Sequence, residues 1–171
     1  MKELHPFSSP LSKLELKAEV RRDGRLLRFT FALHGGLAKV KLPKPERPAL
    51  RKDELWKSTC FEAFVAVPGN KQYWELNFSP DGAWNCYRFD DYRQGMRAEK
   101  ILSNPEIHTS HTPDGFQLLA TVDLSSAVQT QGPLELSLAA VIEGDEHSYW
   151  ALKHLGAKPD FHLRESFVLQ P

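Results

Sequence analysis

Long hydrophobic runs are absent from this sequence, and cysteine is scarce. No segment approaches the ~20 consecutive apolar residues of a membrane-spanning helix. The stretch from Met1 to Leu14 is interrupted by prolines and lacks the apolar core of a signal peptide. The two cysteines, Cys60 and Cys86, do not form the framework of a disulfide-rich secreted protein. We therefore expect a cytoplasmic protein with reduced thiols.

An excess of either charge is also absent. The 171 residues include 22 Lys plus Arg and 22 Asp plus Glu, so the formal net charge is zero. A neutral chain has no general attraction for phosphate backbones or anionic lipids. The composition therefore disfavours nucleic-acid and membrane partners, and it favours no particular oligomeric state.

Familiar catalytic motifs are missing. There is no Gly-x-Ser-x-Gly, P-loop, His-Glu-x-x-His or dinucleotide-binding glycine pattern. His108 and His111 lie in a proline-flanked stretch that is typical of a solvated loop. His154, Asp160 and His162 could ligate a metal together, but no fourth ligand is evident, so a polar loop is favoured. We expect no metal and no enzymatic activity.

Period-two alternation of apolar and polar residues dominates what the sequence does contain. Turn residues such as Asp23-Gly24 and Pro68-Gly69-Asn70 separate the alternating segments. The pattern predicts one all-β domain over residues 1–171, an antiparallel two-sheet β-sandwich of the jelly-roll type with one or two short helical turns, one of them at 123–128. The strands are expected at 14–20, 27–33, 60–67, 73–78, 83–89, 116–122, 134–142, 148–152 and 166–169.

Several polar side chains lie in strands whose other residues are apolar and predicted to be buried. Glu62 lies inside the most hydrophobic strand, where a carboxylate is costly unless it is paired or hydrogen-bonded. Planar polar groups beside aromatic rings are typical of a sugar site. We therefore predict a site of this kind on one sheet face, formed by Trp56, Glu62, Tyr73, Asn77 and Arg88. A purely structural ion pair between Glu62 and Arg88 is the alternative.

The middle of the chain resembles the DOMON-like superfamily, which includes the family 9 carbohydrate-binding modules of xylanases. The resemblance is carried by Leu55-Trp56, by the strands Cys60–Phe64 and Tyr73–Phe78, by Ser79-Pro80 and Gly82-Ala83-Trp84, and by Lys158–His162 with Ser166-Phe167. It implies a β-sandwich without catalysis.

In the carbohydrate-binding members of that superfamily, two tryptophans enclose a sugar, and an acid and an arginine bind its hydroxyls. The resemblance implies that Trp56, Glu62 and Arg88 have these roles, while Phe161-His162 replaces the second tryptophan. Other members bind haem through Met and His, so the resemblance leaves open a haem or redox-binding domain that uses Met96 with His154 or His162. A domain that docks a protein on the same face is a further alternative.

Overall fold

Short antiparallel strands build the fold. The structure, a computed structural model, describes residues 1–8, 13–45, 50–100, 102–128 and 131–171. In these residues the strands are β1 (Lys2–Pro6), β2 (Glu15–Asp23), β3 (Leu26–His34), β4 (Cys60–Ala66), β5 (Tyr73–Phe78), β6 (Trp84–Phe89), β7 (Arg97–Ala98), β8 (Glu106–Thr112), β9 (Gly115–Asp123), β10 (Glu135–Glu143) and β11 (His147–Ala151). Single-turn 3₁₀ helices span Leu37–Lys39, Leu55–Lys57 and Arg164–Ser166. The proline-rich segment 43–54 lies partly outside the described residues.

The strands form one curled sheet in the order β7-β6-β5-β4-β10-β11-β1-β2-β3-β9-β8. The all-β antiparallel prediction is confirmed, but the division into two jelly-roll sheets is not. The reason is β1, which pairs with β2 through Lys2–Leu4 and with β11 through His5 and Pro6. One strand thus joins the two halves into a continuous ladder.

The β2–β3 hairpin shows how turn chemistry sets the register. Asp23 pairs with Leu26, so the turn residues are Gly24 and Arg25, and Gly24 has a φ of 58°. A turn was predicted at Asp23-Gly24, and the observed turn lies one residue later. The positive φ falls on glycine, which adopts it without steric cost.

Two other local predictions were wrong. Residues 166–169 do not form a strand, because Arg164–Ser166 is a 3₁₀ turn and Leu169 makes a single bridge to Leu136. The stretch with His108 and His111 is strand β8, since backbone pairing with β9 outweighs its polar sequence. The short helical turn predicted at 123–128 is present as a single turn, in which the Leu124 carbonyl accepts the N–H groups of Ala127 at 2.9 Å and Val128 at 2.8 Å. Asp123 caps it by accepting the Ser125 N–H at 2.9 Å.

The main core lies where the two halves of the curled sheet face each other. Phe61, Ala63 and Val65 of β4 point into it. The Phe61 ring lies 5.1 Å from that of Phe31 on β3 and 5.8 Å from that of Phe116 on β9. These contacts across the core hold the two halves together.

The opposite face of β4, β5 and β6 is also buried. A second apolar cluster covers it, built from Phe64, Ala66, Tyr73, Tyr87, Phe89, Ala139, Val141, Ala151, Phe161 and Phe167, with Trp56 against it. Phe161 and Phe167 come from the segment after β11, which folds back over the sheet. This covered face contains the candidate site.

The cysteines lie on opposite faces of the sheet. Cys60 shares the covered face with Glu62, whereas Cys86 belongs to the main core, and both are free thiols. None of the helices in the described ranges combines the length and the apolar character needed to cross a membrane.

Replacing Phe61 by Ala should destabilise the protein strongly, because its side chain is fully buried between β3 and β9. We expect a loss of about 3–5 kcal/mol in the free energy of unfolding. Denaturant titration followed by circular dichroism measures it. Leu119→Ala on β9 is the control, because Leu119 is exposed. Equal losses for the two variants would contradict the proposed core.

Candidate ligand-binding site

A cavity of about 350 Å³ opens on the covered face of the sheet. This volume is in the range of small-molecule sites. Its polar lining consists of Glu62, Glu75, Arg93 and His162, and its apolar lining consists of Trp56, Phe89, Met96, Val141, Tyr149, Pro159 and Phe161. The cavity therefore joins a cluster of ionisable groups to an aromatic wall.

Strand register places the two glutamates side by side. In the β4–β5 ladder Glu62 pairs with Asn77 and Phe64 pairs with Glu75. Glu62 and Glu75 are therefore diagonal neighbours on one face, close enough for their side chains to interact. They are 3% and 5% exposed, so both carboxyl groups are largely removed from water.

The two carboxyl groups differ in their partners. Glu75 Oε1 accepts a hydrogen bond from Asn77 Nδ2 at 2.8 Å, and Glu75 Oε2 lies 3.8 Å from His162 Nε2. Within the part of the chain that the structure describes, no side chain or backbone group donates a hydrogen bond to Glu62. The Glu62 side chain is instead exposed to the cavity that it lines.

Burial raises the pKa of both glutamates. The pKa of Glu62 lies well above its usual value of 4.5, first because of burial and then because of the Glu75 charge. The pKa of Glu75 rises to about 7 through burial, although the Asn77 hydrogen bond and Arg93 oppose that rise. Near neutral pH this pair holds at least one proton, so it can both donate and accept hydrogen bonds.

A hydrogen-bonded chain orients His162. The Tyr73 hydroxyl accepts the backbone N–H of Arg93 at 3.2 Å and lies 2.7 Å from His162 Nδ1. Because the hydroxyl needs an acceptor for its own proton, it donates to Nδ1, and the ring proton is then on Nε2, facing Glu75. Burial and Arg93 lower the pKa of His162 to about 4, so the ring is neutral at pH 7.

Both the side chain and the backbone of Arg93 are held in place. Its Nη2 donates to Asp160 Oδ1 at 3.0 Å, and the same oxygen accepts the backbone N–H of His162 at 3.0 Å. Its own backbone has a φ of 52°, in a loop closed by the two hydrogen bonds between Arg97 and Asp90 at 2.7 Å. Asp160 thus sets the positions of the arginine and the histidine together.

The ring of Trp56 is positioned by the 3₁₀ turn Leu55–Lys57. It packs edge-on against Tyr87 of β6, with ring centroids 5.5 Å apart and an interplanar angle of 71°. The Tyr87 hydroxyl donates to Asp53 Oδ1 at 2.9 Å, and Asn85 Nδ2 donates to the same oxygen at 2.8 Å. These contacts tie the end of the 50–57 segment to the sheet and hold the tryptophan at the cavity.

The structure brings together most of the residues that the sequence singled out. Trp56, Glu62, Phe161 and His162 line the cavity. Tyr73 lies behind His162 and orients it, and Asn77 holds Glu75, so these two support the site from outside its lining.

Arg88 does not belong to this group, and the predicted pairing of Glu62 with Arg88 is wrong. Arg88 pairs across the β5–β6 ladder with Trp74, which points into the main core. It therefore lies on the opposite face from Glu62, and its Nε atom is buried with no hydrogen-bond partner in the described ranges. In β6 the residues that share the face of Glu62 are Asn85, Tyr87 and Phe89.

Two polar residues of the lining, Glu75 and Arg93, were missed. Glu75 follows the same alternation as Tyr73 and Asn77, so its placement on this face could be read from the sequence, but its role could not. Arg93 lies in a loop with no periodic signal. Of the residues considered for haem, Met96 and His162 reach the cavity, whereas His154 Nε2 lies 2.8 Å from the carbonyl of His5 and outside the lining.

The raised pKa of Glu75 predicts a pH dependence of stability. A carboxyl whose pKa is higher in the folded state binds its proton more tightly there, so its contribution falls as pH rises from about 4.5 to about 7. Relative to wild type, Glu75→Gln should gain up to about 3 kcal/mol of unfolding free energy between pH 4.5 and 8. Denaturant titrations at both pH values measure this gain.

Glu75→Gln must be compared with wild type at each pH, because His162 changes the free energy of unfolding with pH in the opposite direction. Its lowered pKa adds stability as pH rises from about 4 to 6.5 in wild type and variant alike. Glu15→Gln is the control, because Glu15 is an exposed carboxylate on β2. A pH-independent difference between Glu75→Gln and wild type would show that Glu75 titrates normally.

Comparison with known proteins gives structural matches only. No family model matches the chain, and no curated protein does. A Bacteroides uniformis protein to which carbohydrate binding is ascribed is similar in structure, with a TM-score of 0.66 and 15% identity over 98% of this chain and 84% of that one.

Two structures of a family 9 carbohydrate-binding module from Caldicellulosiruptor kristjanssonii also match, each at 13% identity. The glucose complex has a TM-score of 0.45 and covers 84% of this chain and 68% of the module. The cellotriose complex has a TM-score of 0.46 and covers 88% and 71%. The similarity to the Bacteroides uniformis protein shows a shared fold.

Proposed function

We propose that this chain is a non-catalytic domain that binds a small sugar or polyol in the cavity on the covered sheet face. The observation that carries the proposal is the Glu62 carboxyl group, which is buried, lines the cavity and has no hydrogen-bond donor among the described residues. A ligand hydroxyl would supply the missing partner.

The polar lining fits a molecule with neighbouring hydroxyl groups. The Glu62 and Glu75 carboxyl groups accept hydrogen bonds, and they also donate when protonated. The Nε2–H of His162 and the guanidinium of Arg93 are donors on the same side of the cavity. Adjacent hydroxyls of a sugar each donate and accept, so groups of both kinds are needed to bind them.

The apolar lining fits the carbon skeleton of the same molecule. Trp56 and Phe161 present aromatic surface, and Trp56 is the tryptophan that reaches the lining in the described ranges. A flat aromatic surface matches the C–H face of a pyranose ring. The fold shared with the Bacteroides uniformis protein, to which carbohydrate binding is ascribed, supports the same class of ligand.

Isothermal titration calorimetry with mono- and disaccharides tests the proposal. We expect dissociation constants from the high micromolar to the millimolar range, because a small wet site supplies only about 4–5 kcal/mol. Trp56→Ala should weaken binding at least tenfold, since it removes the aromatic platform. Leu119→Ala, an exposed apolar residue outside the lining, should leave binding unchanged.

Three results would contradict the proposal. Binding that survives both Trp56→Ala and Glu62→Ala would place the site elsewhere. No response to any sugar at tens of millimolar would favour a protein-docking face. A Soret band in the purified protein would favour haem.

Catalysis is tested separately, because paired carboxyl groups also occur in glycoside hydrolases. Each sugar should be recovered unchanged after incubation with the protein, and cleavage of a sugar would contradict a non-catalytic role.

A further inference from the structure

The charges that line the cavity are unbalanced. Glu62 and Glu75 lie side by side, and Arg93 is the one Lys or Arg side chain in the described lining. The Arg93 guanidinium donates to Asp160 at 3.0 Å and is half exposed to solvent. The Arg93 charge also acts on Glu62 and Glu75 from a distance, but among the described residues its ion pair is with Asp160 and not with either glutamate.

The neighbouring ionisable groups do not supply a positive charge either. His162 is neutral at pH 7, and its Nδ1 is bonded to the Tyr73 hydroxyl. Cys60 lies on the same strand face, and its Sγ is 3.3 Å from Asn77 Oδ1. In the part of the chain that the structure describes, the two buried carboxyl groups thus face the cavity without an ion pair to a Lys or Arg side chain.

We propose that the ligand carries a primary ammonium group on a sugar-like ring, and that Glu62 and Glu75 bind this ammonium between them. The inference rests on the proposed function and narrows its ligand to an amine-bearing sugar. The supporting geometry is the diagonal position of the two glutamates, their burial, and the absence of a hydrogen-bond donor to Glu62 among the described residues.

An ammonium group would supply both the hydrogen-bond donor and the positive charge that the two glutamates do not receive from the described residues. An ammonium group has three N–H donors, and hydrogen bonds between ionised groups are about twice as strong as neutral ones. One N–H can reach each carboxylate. The aromatic lining adds a favourable contribution, because a cation is attracted to the face of a ring within about 6 Å.

Binding of the ammonium changes the protonation of the site. The free pair holds at least one proton near neutral pH because the two carboxyl groups are buried together. A bound cation favours the ionised form of both, so the pair gives that proton to the buffer. A neutral sugar leaves the proton in place, which makes proton release the signature of the ammonium.

Isothermal titration calorimetry at pH 7 with glucosamine, N-acetylglucosamine and glucose tests the inference. We expect glucosamine to bind at least tenfold more tightly than the other two, because only its nitrogen is cationic. Repeating the titration in buffers of different ionisation enthalpy should show proton release for glucosamine alone.

Variants assign the effect to the glutamates. Glu62→Gln and Glu75→Gln should each reduce the glucosamine preference at least tenfold while changing glucose affinity only a few-fold. Glu15→Gln, exposed on β2, should change neither. Thermal melts of each variant establish that it is folded before affinities are compared.

The outcomes separate the two proposals. Glucose binding as tightly as glucosamine, or glucosamine binding without proton release, overturns the ammonium inference and leaves the sugar site intact. Failure of all three sugars to bind overturns both. A preference for glucosamine that survives in both glutamate variants also overturns the ammonium site. Propylammonium binding as tightly as glucosamine overturns the sugar ring as part of the ligand.

Discussion

The burial of strands β4 and β5 on both faces is the constraint on which the rest of the structure depends. One face of these strands packs into the main core through Phe61 and Val65, so their positions are fixed by contacts with the other half of the sheet. The other face is covered as well, and it is the one that contains Glu62 and Glu75. Two acidic groups are therefore held at fixed positions in a poorly solvated environment.

The covering layer turns this buried face into a cavity. It comes from three segments distant in sequence: the 3₁₀ turn with Trp56, the loop after β6 with Arg93, and the segment after β11 with Phe161 and His162. Asp160 links the last two by accepting hydrogen bonds from Arg93 and from the His162 amide. Arg93 and His162 are thus held in place by hydrogen bonds within the protein before a ligand binds. This preorganisation lowers the entropy cost of binding.

The candidate site was partly predictable. Glu62 could be identified because a carboxylate inside an apolar strand is costly unless it has a partner. Trp56 could be identified because it is a tryptophan shortly before that strand. Arg88 was the residue placed wrongly: alternation within β6 put it on the face of Trp84 and Cys86, but alternation does not show which face is the site. Arg93 carries no signal in sequence at all, since a loop residue acquires its partners from Tyr73 and Asp160, which lie on other segments.

The sequence by itself determined the strand-rich class, most of the strands, and which residues within each strand share a face, because these properties follow from a period of two between neighbouring residues. The tertiary structure decided which face became the cavity, how the strands aligned, and how the two halves of the sheet were joined. Strand β1, which joins the two halves, was not recognised in the sequence, since its pairing with β2 and β11 depends on segments that are near and far along the chain. Hydrogen-bond register and coverage by distant segments are non-local, so no local pattern encodes them.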